Sequence, residues 1–168
     1  EIDEKYPNLK VNLNASVSIE KIKEKLLIND ELLIEFFEGS THIYIFSISK
    51  NNPISVIKIE KDEKFKETLL SFLKLFSDER GATLQNNINN YTNLGFILFK
   101  RLFKERLNKN IIIVPDGLFS FLPFDALITE ETAITNFEKL PYLIHKTNLS
   151  YAYSTSILLN GSKAINRK

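Results

Sequence analysis

Apolar residues near the start of the chain change from helical to strand spacing. A short helix is predicted after Ser18, a candidate N-cap, because apolar residues recur there at helical intervals. These residues are Ile19, Ile22, Leu26 and Leu27. Three apolar runs separated by turn-forming residues come next, and they read LLIEFFEG, THIYIFSISK and PISVIKIEK. We predict an antiparallel meander, and because its second run is apolar on both faces, at least one strand should be covered on both sides.

Two helical patterns follow the meander. Asp62 is the candidate N-cap of the first helix, which has a single apolar face. That face consists of Phe65, Leu69, Phe72, Leu73 and Phe76. The second helix is predicted over residues 91–107, and its broader apolar surface suits a helix wedged between a sheet and another element. The polar segment between them, SDERGATLQNNINN, predicts a loop or one weak helical turn.

A short β-branched run, Ile111 to Val114, comes after the second helix. Its apolar residues are continuous rather than alternating, which is typical of a strand buried in an α/β sheet. Pro115, Asp116 and Gly117 then predict a turn. Proline presets φ, aspartate bonds back to the backbone and glycine tolerates a positive φ.

Two further segments carry apolar residues after this turn. LFSFLPFDAL is predicted as a short second strand followed by a helical turn that starts at Pro123. YLIHKTNLSY is predicted as another strand, and one face of it holds Leu143, His145, Thr147 and Leu149. The whole pattern predicts an α/β fold with an antiparallel meander, then helices and the first strands of a mixed sheet. Residues 1–27 are interpreted as a lead-in and helix that join an upstream region, and residues 161–168 as a disordered tail.

Composition narrows the chemistry that these elements can carry. The 168 residues are 43% hydrophobic, enough for one domain, and the net charge of +1 gives no general attraction to nucleic acid or an anionic membrane. The chain contains no cysteine, and therefore no disulfide, thiolate metal site or thiol nucleophile. No apolar run reaches the ~20 residues that span a bilayer. Because the chain begins at Glu1 and lacks methionine, we expect a piece of a longer cytoplasmic protein.

Candidate catalytic residues are few. A Ser-His-Asp set would have to use His42 or His145, but no G-x-S-x-G turn presents a serine, and both histidines are interpreted as surface or core residues. The sequence has no metal-ligand spacing and no glycine-rich phosphate loop, so we predict neither a metal nor a cofactor. Asp116 and Asp125 lie near strand ends and are interpreted as stabilising a turn and a helix N-terminus. No catalytic site can be assembled from these residues.

A basic cluster lies towards the end of the second predicted helix. It consists of Lys100, Arg101, Lys104, Arg106 and Lys109. Cations at a helix C-terminus complement the helix dipole, and the neighbouring Phe99 and Phe103 suit the core. A solvated helix end is therefore favoured over a nucleic-acid site, which would also need a groove-reading element or exposed aromatic residues in the same place.

The segment IIIVPDGLFSFLPFDAL and the later YLIHKTNLSYAYSTSILL resemble the N-terminal half of a CHAT domain. This caspase-like domain is often found after tetratricopeptide or other helical repeats in bacteria. The matching positions are Pro115, Asp116, Gly117, Leu122, Pro123, Phe124, Ala126 and Leu127, then Tyr142, Leu143, Ile144, Ser150, Tyr151 and Ser154. Upstream, ELLIEFFEGSTHIYIFSISKNN resembles the opening strands of the family, so the CHAT-like part spans residues 28–160.

The resemblance implies a cysteine peptidase whose catalytic histidine and cysteine follow two consecutive later strands. Neither position lies in this chain, so it would be the non-catalytic N-terminal portion of such a peptidase, or of a pseudopeptidase or interaction scaffold. Asp116 and Gly117, at a strand end, are the substrate-cleft candidates. The motif residues with a structural role would be Pro115, Leu122, Pro123, Phe124, Ala126 and Leu127.

The same resemblance implies the kind of partner. Expected partners are a protein or peptide substrate, a regulatory partner, the missing C-terminal half of the domain or a second copy of the chain. Nucleic acid and membrane are not expected. A half-domain would leave an open sheet edge and an uncovered apolar face, and these need a covering partner.

Overall fold

The computed structural model describes residues 17–28, 30–77, 81–104 and 107–161. In chain order the helices and strands are α1 (Ile19–Lys25), β1 (Glu31–Glu38), β2 (His42–Ser49), β3 (Ser55–Glu60), α2 (Glu63–Lys74), α3 (Ala82–Gln85), α4 (Ile88–Leu102), β4 (Asn110–Val114), β5 (Asn148–Tyr151) and α5 (Thr155–Gly161). Four single turns of 3-10 helix connect β4 to β5, at Gly117–Phe121, Phe124–Ala126, Phe137–Lys139 and Leu143–His145.

The five strands form one open mixed sheet in the order β3-β2-β1-β4-β5. The first three strands are the predicted antiparallel meander, and β4 then pairs in parallel with both β1 and β5. Within this sheet Leu33 of β1 lies opposite Ile48 of β2 and Ile112 of β4. The α/β prediction with a mixed sheet is therefore confirmed.

Apolar residues are buried on both faces of the sheet. On one face α2 and α4 pack over the strands, and Phe72 and Leu98 from these helices are fully buried with Ile113 of β4. On the other face α1 contributes Ile22, and α5 packs against the same cluster. Because β1 and β4 bury residues towards both clusters, the predicted covering of a strand on both sides is confirmed.

Two predicted helix caps are present. The Ser18 side chain accepts a hydrogen bond from Lys21 N at 3.3 Å, and Asp62 Oδ1 accepts one from Phe65 N at 2.6 Å. Each satisfies an amide that the first helical turn leaves without a partner.

The predicted range of the second long helix, 91–107, is wrong at both ends. Helix α4 starts earlier, at Ile88, and ends at Leu102. Phe103 leaves helical geometry with φ −117° and ψ 90°, and its ring meets Phe124 edge to face with the ring centroids 6.3 Å apart. The helix therefore ends where an aromatic residue turns into the core. The loop or weak turn predicted before it contains the short helix α3.

The strand predicted for LFSF is also wrong, because this segment forms a 3-10 turn at Gly117–Phe121. Gly117 has φ +57°, and Phe119 N donates to Asp116 O at 3.1 Å, so the chain reverses instead of extending. This turn places the Phe119 ring on Phe36, with centroids 4.9 Å apart. The second half of the prediction is confirmed, since a helical turn follows Pro123.

The long strand predicted for YLIHKTNLSY is reduced to β5. Leu143–His145 form a 3-10 turn, with Leu143 buried and His145 exposed, so the proposed common face does not exist. Thr147 Oγ1 donates to Asn108 O at 2.7 Å, and the strand begins directly afterwards. Helix α5 was not predicted, and Gly161, placed in the disordered tail, is its last residue. Residues 1–16 and 162–168 lie outside the described part of the chain.

Candidate functional site

The carboxyl ends of the parallel strands β4 and β5 meet at one edge of the sheet, where ligands of α/β proteins collect. A pocket of about 450 Å³ lies there. Its lining residues are Pro115, Ser120, Tyr151, Ala152 and Tyr153. Of the positions that match the family motif, Pro115 and Tyr151 line this pocket, whereas the substrate-cleft candidates Asp116 and Gly117 are not among its lining residues.

Asp116 joins the end of β4 to the end of β1. Its Oδ2 atom accepts a hydrogen bond from Glu38 N at 2.8 Å. The carboxylate thus satisfies a backbone amide where the parallel pairing of the two strands ends. This contact agrees with the interpretation of Asp116 as a residue that stabilises the turn.

Gly117 is held in the left-handed conformation by the same neighbour. Glu38 Oε2 accepts a hydrogen bond from Leu118 N at 2.8 Å, and a Cβ atom added to Gly117 would clash with that oxygen. Lys61 Nζ, on the other side of Glu38, donates to its Oε1 at 2.6 Å and to Gly39 O at 3.2 Å. Glu38 therefore clamps the turn, and we call Glu38, Lys61, Asp116 and Gly117 the turn clamp.

Sequence reasoning did not identify Glu38 because it lies 80 residues from Leu118, whose amide donates a hydrogen bond to its carboxylate. The signal was indirect. A glutamate at the end of one predicted strand and a Pro-Asp-Gly turn at the end of another lie close together if the two strands pair in parallel, and the sequence did not predict that pairing.

The remaining motif residues contact the core or neighbouring elements of the fold. Leu122, Phe124 and Leu127 are buried, and the Phe124 ring lies 5.2 Å from that of Phe36. The Ala126 carbonyl accepts a hydrogen bond from the Tyr91 hydroxyl, and this bond connects the 3-10 turn at Ala126 to α4. Pro123 precedes the 3-10 turn and is half-buried.

Asp125 contacts the wall of the pocket through Tyr151, whose hydroxyl donates to Asp125 Oδ2. Burial, together with the hydrogen bond to Asp125, raises the pKa of Tyr151 above its ordinary value. The hydroxyl is therefore kept protonated, and it orients the ring instead of acting as a base. The predicted position of Asp125 in the first turn of a helix is confirmed, since it lies in the 3-10 turn after Pro123.

Neither histidine lines the pocket. His42 Nδ1 lies 2.9 Å from Thr41 Oγ1, and the His145 ring packs edge-on against Tyr142. Within the described ranges, no group of three or more histidine, cysteine or acidic residues could hold a metal ion. In the same part of the chain, no helix is both long and apolar enough to cross a membrane.

The two basic residues in the last turn of α4, Lys100 and Arg101, contact neighbouring aromatic and acidic side chains. Arg101 lies over the Phe65 ring at 5.0 Å and forms an ion pair with Asp62 at 3.7 Å. Lys100 lies over the Phe96 ring at 5.0 Å. These contacts agree with a solvated helix end.

Two strongly exposed aromatic residues, Phe121 and Tyr153, were not singled out from the sequence, and Tyr153 lines the pocket. Tyr153 is 97% exposed and Phe121 is 74% exposed, although most aromatic residues of this size lie in the core. Their sequence signal is weak, since Phe121 stands between the exposed Ser120 and the buried Leu122, and Tyr153 stands between two half-buried residues. Exposed aromatic residues at a pocket supply large contact areas to a ligand.

No protein-family model matches the chain, and no curated protein matches it.

Proposed function

We propose that this chain is the non-catalytic N-terminal portion of a CHAT-type, caspase-like cysteine peptidase. One observation carries the proposal: the pocket at the carboxyl ends of β4 and β5 adjoins the Pro-Asp-Gly turn, yet its lining contains no nucleophile paired with a base. Under this proposal the pocket shapes a cleft, and the reactive groups would come from elsewhere. The absence of cysteine from all 168 residues agrees with that division of labour.

Under this proposal the turn clamp positions the floor of a substrate cleft. Asp116 and Gly117 would act through backbone geometry, because the Asp116 carboxylate already accepts the Glu38 amide. The protein would act in the cytoplasm on a protein or peptide substrate. The histidine and cysteine would come from strands encoded after Lys168, and cysteine would attack the scissile carbonyl once histidine had taken its proton.

The test is a cleavage assay on the longest product of the gene. We expect a histidine and a cysteine on consecutive predicted strands after Lys168, and cleavage of a fluorogenic peptide pool that a Cys→Ala change at that cysteine abolishes. Residues 1–168 alone should not cleave, and adding the remaining segment separately should restore activity. Absence of those two residues, or cleavage that survives the Cys→Ala change, would reject the peptidase.

A pseudopeptidase or interaction scaffold is the second candidate. The exposure of Phe121 and Tyr153 favours it, because binding through aromatic residues needs no catalytic dyad. The same gene product discriminates the two functions. A scaffold retains a binding partner in pull-down experiments while every peptide in the pool stays intact.

A further inference from the structure

The second face of the sheet is covered along only part of its strands. At one end Ile22 of α1 packs in the same buried cluster as Leu33 of β1 and Ile48 of β2. Further along the strands, Phe37 of β1 and Val56 of β3 lie on this face because strand side chains alternate, and they are 55% and 51% exposed. Apolar side chains exposed together on one face mark an interaction surface.

A groove of about 400 Å³ lies between α1 and this open part of the face. Phe46 of β2 lines it, and in the sheet register Phe46 lies opposite Glu35 of β1 and Val56 of β3. Among the described residues that line the groove, Glu35 alone carries a charge, and its Oε2 atom already accepts a hydrogen bond from Thr155 Oγ1 at 2.9 Å. The groove therefore suits an apolar occupant.

The chain enters the groove from its N-terminal side. Val17, the first described residue, lines the groove and packs against the cluster beneath α1. The open part of the face, from Ile48 to Tyr44 along β2, is about 13 Å long at the rise of a strand. Residues 1–16 reach up to about 50 Å when extended, so they are long enough to cross it from Val17.

The sequence just before Val17 has the pattern that such a cover needs. Residues 9–14 read LKVNLN, in which apolar and polar residues alternate strictly. This alternation is typical of an extended segment with one buried and one solvated side. Leu9, Val11 and Leu13 would share the buried side, and the polar residues between them would face water.

The C-terminal half expected under the proposed function has a different place. Its strands would follow β5, whereas the groove lies over β1 and β2. Strand β2 is three strands away from β5, which corresponds to about 14 Å across the sheet. The N-terminal segment, in contrast, is joined directly to a residue of the groove.

We propose that residues 9–13 form an extended strap across the open part of the second sheet face. The three apolar side chains of the strap pack against Phe37, Phe46 and Val56, and its polar side chains face solvent. The occupant of the groove is thus a segment of the same chain. The proposal does not rest on the proposed function, and the cleavage assay and the experiment below succeed or fail separately.

Paramagnetic broadening in the complete chain tests the strap. Because the chain contains no cysteine, Asn8→Cys introduces a single thiol for a spin label at the distal end of the strap. We expect the label to reduce the intensity of the amide resonances of Phe37, Phe46 and Val56.

Two further variants of the labelled chain separate docking from mere attachment near the groove. Leu9→Asn, Val11→Asn and Leu13→Asn together should restore the intensities, because they remove the apolar side of the strap at unchanged length. Lys10→Ser with Asn12→Ser is the matched control, which alters only the polar side and should leave the broadening as it was. Binding of an apolar dye should rise in the triple variant and stay unchanged in the control.

A mixture of spin-labelled chain and unlabelled, isotope-enriched chain identifies the molecule that supplies the strap. Broadening within one molecule, with none between molecules, supports the proposal. Broadening between molecules would make a second copy the occupant and overturn it. Equal broadening in the triple variant and the control, or no broadening of the groove residues in the labelled chain, would also overturn it.

Discussion

A single residue, Glu38, connects three segments of the chain through hydrogen bonds to its carboxylate. It accepts from Leu118 N and from Lys61 Nζ, while its own amide donates to Asp116. Its side chain is largely shielded from water, and hydrogen bonds to charged groups contribute about 1.5–3 kcal/mol. The geometry of the turn therefore depends on a residue far away in the chain.

Gly117→Ala tests this dependence. We expect a loss of about 2–4 kcal/mol in the free energy of unfolding, measured in urea, from left-handed strain and from displacement of Glu38. Gly81→Ala is the matched control, because Gly81 also has a positive φ, +67°, but nothing lies within 4 Å of its added Cβ. The control should lose only about 1 kcal/mol. Equal losses would show that the clamp contributes nothing.

Local sequence patterns were sufficient to predict the meander, strand β4 and the N-caps of α1 and α2. The α2 prediction held for the Asp62 cap and for Phe65, Leu69 and Phe72, which are buried. It was wrong for Phe76, which lies beyond the helix end at Lys74 and is exposed.

The errors lie at the two ends of α4, at the unpredicted helix α5 and between β4 and β5, where tertiary contacts decide the conformation. The segment after Gly117 has strand composition, but stacking of Phe119 on Phe36 and the contact with Glu38 fold it into a 3-10 turn. No local pattern reports such partners.

The same limits apply to the site. Pro115, Asp116 and Gly117 were recognisable as a turn at a strand end, which located the edge on which the pocket lies. Tyr151 was named only as a motif position and Tyr153 was not identified, because their exposure at the pocket depends on how the 3-10 turns arrange the chain around β5.

The cap of α2 gives a prediction for this element. Asp62→Ala should lower the free energy of unfolding by about 1 kcal/mol, because Phe65 N loses its acceptor. Asp62→Asn keeps a capping oxygen and removes only the exposed ion pair with Arg101, so it should cost about half as much or less. Thermal unfolding of both variants measures the difference. An equal loss in the two variants would place the stabilisation in the ion pair, because both substitutions remove it.

Across the whole molecule, tyrosine side chains connect structural elements that lie in different layers. Tyr91 of α4 is fully buried, stacks on Phe72 of α2 and donates to the Ala126 carbonyl below. Burial, with a further contribution from Tyr142, raises the pKa of Tyr91 well above its ordinary value of 10.0. Burial also raises the pKa values of Tyr142 and Tyr151.

An alkaline limit to stability follows. In the unfolded chain these hydroxyls ionise near pH 10, whereas the fold keeps them protonated, so their stabilising effect is complete below about pH 10 and is lost above it. For Tyr91 the free energy of unfolding should fall by about 1.4 kcal/mol per pH unit there. Urea unfolding between about pH 9 and about pH 11, with tyrosinate absorbance, measures this slope.

Tyr91→Phe should reduce that slope, even though it also lowers stability by leaving the Ala126 carbonyl without its donor. Tyr153→Phe, which alters a hydroxyl in solvent, should leave the slope unchanged. An unchanged slope in the Tyr91 variant would mean that other groups set the alkaline limit.

The position of β1 between β2 and β4 has a consequence for synthesis of the protein. Its pairing with β2 is complete within one hairpin, but the contacts of Glu38 with the β4 turn need residues made 80 positions later. At ribosomal speed that interval lasts roughly 4–16 s. Throughout it, the LLIEFF edge of β1 is apolar and unpaired. Strand β1 is paired on both sides in the finished sheet. In the nascent chain it therefore exposes an unpaired apolar edge, which a chaperone would recognise.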